Sequence, residues 1–187
     1  HGVRFRGKTV LILGSGGTRN TVAAVARAGG AAPPTTLPPP EAATARLLPV
    51  GRSGRNGGVT YAQAEASGEG QIIINASPAG MFPNNGSCLI DLKKFPDLEA
   101  VLDVVYNPFR TELLLRAEEL GIPAYCGFEM LVAQAVVSAG LFLDKLFSAN
   151  QIDEACHALR REISNVSLIG MPRSGKSTPR PPPAPAG

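Results

Sequence analysis

Three clusters in this sequence have the residue types and spacing to hold a phosphorylated ligand. The first is Gly14-Ser15-Gly16-Gly17-Thr18, which follows the short apolar run Thr9 to Leu13 and precedes the small-residue pattern Val22-Ala23-Ala24-Val25-Ala26. Strand, glycine turn and helix in that order open a nucleotide-binding βαβ unit, where turn amides and the positive helix end hold a pyrophosphate. The third glycine of GxGxxG falls at Arg19, so a plain βα turn without ligand stays open as an alternative. The second cluster is Arg52-Ser53 with Arg55. At the end of a second strand, NAD sites place an acid for the ribose 2′-hydroxyl. Here there is no acid, and a guanidinium can grip a 2′-phosphate through two parallel bonds. That points to NADP rather than NAD; the competing reading is a solvated basic loop. The third cluster, Gly170 to Ser177, fits G-x-x-x-x-G-K-[ST], with Gly170, Gly175, Lys176 and Ser177 in the phosphate and Mg²⁺ positions. Five prolines in the ten residues 178–187 leave no helix to orient its amides, so this loop is expected to be non-functional and a P-loop phosphotransferase reading fails.

These clusters need a scaffold. Residues 29–40 carry five prolines in twelve positions and read as loop. Residues 29–49 as a whole read as an irregular, Pro-rich insertion. The nearest second strand is Arg46 to Val50, weakened by Pro49. Gln71 to Asn75 is a dense β-branched run typical of a buried parallel strand. It leads into Ala76-Ser77-Pro78-Ala79-Gly80, on the sheet edge where open α/β folds bind ligands. Ala100 to Val105 is a further strand, carrying Asp103 and ending in Tyr106-Asn107-Pro108. Thr111 to Leu120 predicts an amphipathic helix with Thr111 as N-cap, Glu112 paired to Arg116, and Gly121 as the stop. A short strand, Ala124 to Cys126, precedes a long helix, Met130 to Phe147. In that helix Gln134 interrupts the stripe Met130, Val137, Leu141, either half-buried against backbone or facing a ligand. A helix over 151–163 reads as a connector. The fold class is therefore α/β, a Rossmann-like open, mostly parallel sheet flanked by helices, with a helical connector and a disordered Pro-rich tail. The expected organisation is a dinucleotide-binding domain over 1–150, the connector over 151–164, an isolated P-loop remnant over 165–178 and a disordered tail over 179–187.

Composition narrows the classes. Apolar residues make up 44% and charged residues 18%, enough for a buried core, and with 5% aromatics and no Trp that core must be aliphatic. A net charge of +3 is too weak to argue for nucleic acid. No run of apolar residues is long enough for a membrane span. Cys88, Cys126 and Cys156 are odd in number and lack metal spacing, as expected of reduced thiols in a cytoplasmic protein with no metal site. The chain begins at His1 and enters its first strand within a few residues, as expected if something preceded it.

GSGGT, NASPAGMFPNNG, LDVVYNPFRTELLLRAEELGIPA and GFEMLVAQA together resemble shikimate dehydrogenase, over roughly residues 8–147, in its C-terminal NADP-binding domain. Residues 165–178 resemble the first strand and P-loop of shikimate kinase, as in a dehydrogenase–kinase fusion. The resemblance implies that Gly14, Ser15, Gly16, Gly17 and Thr18 bind the NADP pyrophosphate. Arg52, with Ser53 and Arg55, would take the 2′-phosphate, although Gly51 departs from the family text there. It implies further that Asn75, Ala76 and Ser77 line the cofactor cleft, that Val104 and Gly127 lie by the nicotinamide, and that Tyr106 and Gln134 reach the substrate, shikimate or 3-dehydroshikimate. The family's catalytic Lys–Asp pair sits in an N-terminal substrate domain with no counterpart in these 187 residues. The expectation is the NADP-binding portion of a shikimate dehydrogenase, inactive alone; a free NADP-binding module or a quinate/shikimate variant are the alternatives.

Overall fold

β-branched and leucine side chains concentrate in three short runs, and these form the centre of one sheet. In the computed structural model, which describes residues 3–28, 45–54 and 57–163, the strands are β1 Thr9–Leu13, β2 Arg46–Gly51, β3 Val59–Thr60, β4 Ile72–Asn75, β5 Ala100–Asp103 and β6 Ala124–Tyr125. The helices are α1 Gly17–Ala28, α2 Tyr61–Ser67, α3 Glu112–Glu119, α4 Phe128–Leu143 and α5 Ala149–Ile163. Strand order is β3-β2-β1-β4-β5-β6, with every pair parallel. The chain leaves β1 in one direction and later returns to its other side at β4. The order thus reverses between β1 and β4, where ligands enter folds of this kind.

Because β1 and β4 are covered on both faces, they read as continuous apolar runs rather than alternating ones. One face carries Leu11, Leu13, Ile73 and Val101 against Ala64 of α2 and Leu113, Leu114 and Ala117 of α3. The other carries Val10, Ile12, Ile72 and Ile74 against Val22 and Ala23 of α1 and Phe5. Register ties the rows together: Leu11 stands beside Ile73, and Ile73 beside Val101.

Strand β2 starts at Arg46, so the irregular segment expected to run to residue 49 gives way to the sheet earlier. Pro49 is tolerated for a geometric reason. The Arg46 amide donates to the Lys8 carbonyl and the Val50 carbonyl accepts from the Gly14 amide, so alternate residues 46, 48 and 50 face β1. Pro49 faces the other way, where β3 pairs only with Val50 and Gly51, and no ladder donor is lost. Sequence reading missed β3 and α2, although Thr60 and Gln63 form a reciprocal capping box: the Gln63 amide donates to Thr60 Oγ1 at 3.2 Å and the Thr60 amide to Gln63 Oε1 at 2.8 Å.

The last two helices differ from expectation in extent and in facing. Helix α4 spans Phe128–Leu143 rather than 130–147, closing where Asp144 turns left-handed at φ 50°. Its buried side is Phe128 and Val132, packed against Ile152, Ala155 and Cys156 of α5. The stripe with Met130, Gln134, Val137 and Leu141 faces outward, with Leu141 83% exposed. Arg160 of α5 lies over the Phe109 and Phe128 rings at 5.5 and 5.6 Å, which fastens α5 to the sheet edge. Among the described residues no helix is long and apolar enough to cross a membrane. Two substitutions separate core from surface. Ile73→Ala should cost about 2–5 kcal/mol in urea unfolding, whereas Leu141→Ala should stay within about 0.5 kcal/mol of the parent.

Candidate functional site

Every strand of a parallel sheet points its end to the same edge; of the six strands here β3 passes straight into α2, and the loops after the other five meet at the carboxyl end. After β1, Gly14 turns with φ +112° and its amide donates to the Val50 carbonyl at 2.9 Å. A Cβ on Gly14 would stand 3.0 Å from the Ala76 carbonyl oxygen and 3.1 Å from Ser77 Cβ. The first glycine therefore lets the β1 turn close against the β4 loop. Gly16 and Gly17 answer no such internal need: a Cβ on either would meet nothing within 4 Å. Ser15, Gly16, Gly17 and Thr18 are exposed, and their amides find no partner among the described residues. Four amides without partners among the described residues, at the start of α1, have the geometry that can hold an anion.

On the β2 side, Arg52 and Ser53 are exposed, and Arg52 forms no ion pair among the described residues. Its charge is felt by Tyr61: burial pushes that phenol up, and the Arg52 guanidinium pulls it back. Arg55 and the motif residues Gly170, Gly175, Lys176 and Ser177 lie outside the described residues.

On the β4 and β5 side the loops are joined by a buried polar network. Asn75 Nδ2 donates to Asp103 Oδ1 at 2.9 Å and to the Ala79 carbonyl at 3.1 Å. Asn75 Oδ1 accepts from the Ser77 amide at 3.1 Å and from Ser77 Oγ at 2.6 Å. Asp103 Oδ1 also accepts from the Val105 amide at 2.9 Å, and Oδ2 from Thr111 Oγ1 at 2.7 Å. Thr111 Oγ1 in turn accepts from the Leu114 amide as the cap of α3. A carboxyl group met by three donors is read as ionised. Burial pushes the Asp103 carboxyl above its usual 3.8, and the bonds from Thr111, Val105 and Asn75 hold it down. Sequence reading placed Asp103 in a strand without a role; a lone acid inside an apolar run, eight residues before a threonine cap, was the available signal.

Gly127, the cap of α4, lets the β6 turn press onto the β5 loop. A Cβ there would sit 2.1 Å from the Val104 carbonyl oxygen, and the Gly127 amide donates to the Val105 carbonyl at 3.1 Å. The Val104 amide donates to the Asn75 carbonyl at 3.0 Å, so Asn75, Val104 and Gly127 stand together. Tyr106 is 47% exposed beside them. Gln134 is exposed on α4, about 10 Å along the axis from Gly127. It is not half-buried in this chain. Two open clefts among the described residues lie elsewhere. One of about 390 Å³ involves Lys8, Glu99 and Tyr125 at the amino end of the sheet. The other, about 500 Å³, lies among Phe109, Cys126 and Arg160. The described turn and loop residues among those predicted lie along an open ledge at the carboxyl edge.

Strand order, glycine turn and ledge define a Rossmann-like dinucleotide fold. No family model matches the chain. Part of it is homologous to shikimate dehydrogenases. The NADP(+)-dependent shikimate dehydrogenase of Clostridium perfringens (strain SM101) is 33% identical over 100 residues, 51% of this chain and 37% of that protein. Among solved structures, a chorismate mutase/shikimate 5-dehydrogenase fusion protein from Clostridium acetobutylicum superposes with TM-score 0.73 at 25% identity. It covers 86% of this chain and 57% of its own. A shikimate dehydrogenase solved with NADP+ shares the fold, at TM-score 0.66 and 20% identity, over 86% of this chain and 56% of that one. The chain thus spans little more than a third of the curated relative.

Two outcomes follow from the geometry. Gly127→Ala must displace the Val104 backbone, so it should lower stability by more than about 2 kcal/mol in urea unfolding; a neutral result would contradict the close approach. Asp103 gives a pH signature. With a native pKa raised above 3.8, its contribution to stability is fully present below 3.8 and is lost as pH rises through the native value. The parent should therefore gain stability relative to Asp103→Asn as pH falls from about 7 to about 4. A constant gap between their urea midpoints would contradict the raised pKa.

Proposed function

We propose that this chain is the NADP(H)-binding portion of a shikimate dehydrogenase. The observation that carries the proposal is the pairing of a glycine turn and an arginine, neither with a partner among the described residues, with no acid at the end of the adjacent strand β2, within a chain homologous in part to NADP(+)-dependent shikimate dehydrogenases. In this reading the amides of Ser15 to Thr18 hold the pyrophosphate. Arg52 and Ser53, with Arg55, take the 2′-phosphate. Asn75, Ala76 and Ser77 line the cleft. The carbonyl-bearing backbone of Val104 and the bare Cα of Gly127 flank the nicotinamide. Tyr106 and Gln134 point the substrate's polar groups toward it. When bound, the cofactor supplies the hydride that interconverts 3-dehydroshikimate and shikimate.

The proton-handling Lys–Asp pair of the family belongs to a substrate domain. The outward stripe of α4, with Met130 54% and Val137 55% exposed, supports a second wall closing over the ledge from outside this chain. On this reading the chain binds cofactor in the cytoplasm and turns nothing over alone. The Gly170–Ser177 motif, read as the start of a shikimate kinase, contributes no ATP site.

Fluorescence titration with NADPH and NADH tests the assignment. Arg52→Ala should weaken NADPH by about 1–3 kcal/mol, on the scale of charge-assisted bonds, and leave NADH unchanged. Equal affinity of the parent for the two nucleotides would overturn the role of Arg52.

A further inference from the structure

We infer that Asp103 is a positioning residue that locks the β4 and β5 loops and thereby shapes the nicotinamide half of the ledge alone. The inference rests on the NADP(H) reading above and adds a division of labour within that site.

The geometry is one-sided. From Asp103, bonds run to Asn75 on β4, to the Val105 amide on its own loop and to Thr111 at the start of α3. Through Asn75 the same network fixes Ser77 and Ala79. Through Val105 it fixes the loop on which Gly127 rests. None of these bonds reaches the β2 loop, where Arg52 and Ser53 stand on the far side of β1. The carboxylate's hydrogen bonds therefore order the β4 and β5 loops directly; the glycine turn meets that network only through the packing of Gly14 on Ala76 and Ser77, and Arg52 does not meet it.

The network is also complete. Among the described residues no buried side-chain nitrogen or oxygen lacks a partner. A complete buried network specifies one arrangement of the groups it joins, and removing one member leaves the others unsatisfied. A buried carboxylate is a poor choice for stability, as its raised pKa shows, so its value lies in what it orients. Thr111 gives an independent handle. It is fully buried at the start of α3, packed against Gly80 of the β4 loop, and its hydroxyl donates to Oδ2.

The experiment titrates the 187-residue chain and its Asp103→Asn, Thr111→Val and Thr111→Ser variants with two probes. NADPH reports both halves of the site; 2′,5′-ADP carries the phosphorylated adenosine half without nicotinamide. Asp103→Asn and Thr111→Val should weaken NADPH by about tenfold or more while 2′,5′-ADP stays within about twofold. Thr111→Ser, which keeps the hydroxyl, should match the parent. Equal losses for both probes, as a merely structural role would give, or no loss for either, would overturn the inference. If Asp103→Asn does not fold, the contrast between Thr111→Val and Thr111→Ser decides. A parent that binds neither probe overturns the cofactor reading and this inference together. A parent that binds both, with variants unchanged, overturns the inference alone.

Discussion

A single buried carboxylate joins the parts of this chain that have to agree. Asp103 sits at the last position of β5, 3% exposed, and accepts from a strand neighbour, from its own loop and from a helix cap. Each donor belongs to a different element. The loop after β4, the loop after β5 and the first turn of α3 therefore share one fixed point. Without it, three backbone segments at the carboxyl edge would each choose among the conformations open to a short loop. With it, Asn75, Ser77, Val104 and Val105 hold one arrangement, and Gly127 can be pressed against the Val104 carbonyl.

The other half of the edge is built by different means. Around Gly14 the constraint is steric: a positive φ and a close approach to Ala76 and Ser77 set the turn. Beyond it the backbone is exposed, and Arg52, exposed at the end of β2, has no ion-pair partner among the described residues. One side is rigid and satisfied; the other is polar and waiting for charge. That asymmetry suits a ligand with a charged, phosphorylated end and a flat end needing exact placement by neighbouring backbone. The described part of the edge offers one wall of a cleft, with the outward stripe of α4 exposed.

Much of this was legible in the residues. β1, β4 and β5 stood out because strands buried on both faces cannot alternate polar and apolar. Thr111 and the Glu112–Arg116 pair marked α3, and the structure joins Arg116 Nε to Glu112 Oε1 at 2.9 Å. β2 was obscured by Pro49, because a rule about ladder donors does not say which side of the strand needs them. The capping box Thr60–Gln63 opened a helix of only seven residues, too short for periodicity to reveal. The facing of α4 was hidden for another reason. An apolar stripe signals burial against something, and sequence does not say whether that partner is in the same chain. Asp103 escaped because its role depends on partners 28 and 8 residues away, brought together only by parallel pairing.

The most direct test of the account is where NADP+ contacts the chain. Amide chemical-shift mapping by NMR, titrating the chain with NADP+, reads this residue by residue. The account predicts shifts clustered on Ser15 to Thr18, Ser53, Ser77 and Val104 to Tyr106, at the carboxyl edge of the sheet. Shifts confined to Lys8, Glu99 and Tyr125 around the amino-end cavity, or none at saturating NADP+, would contradict it.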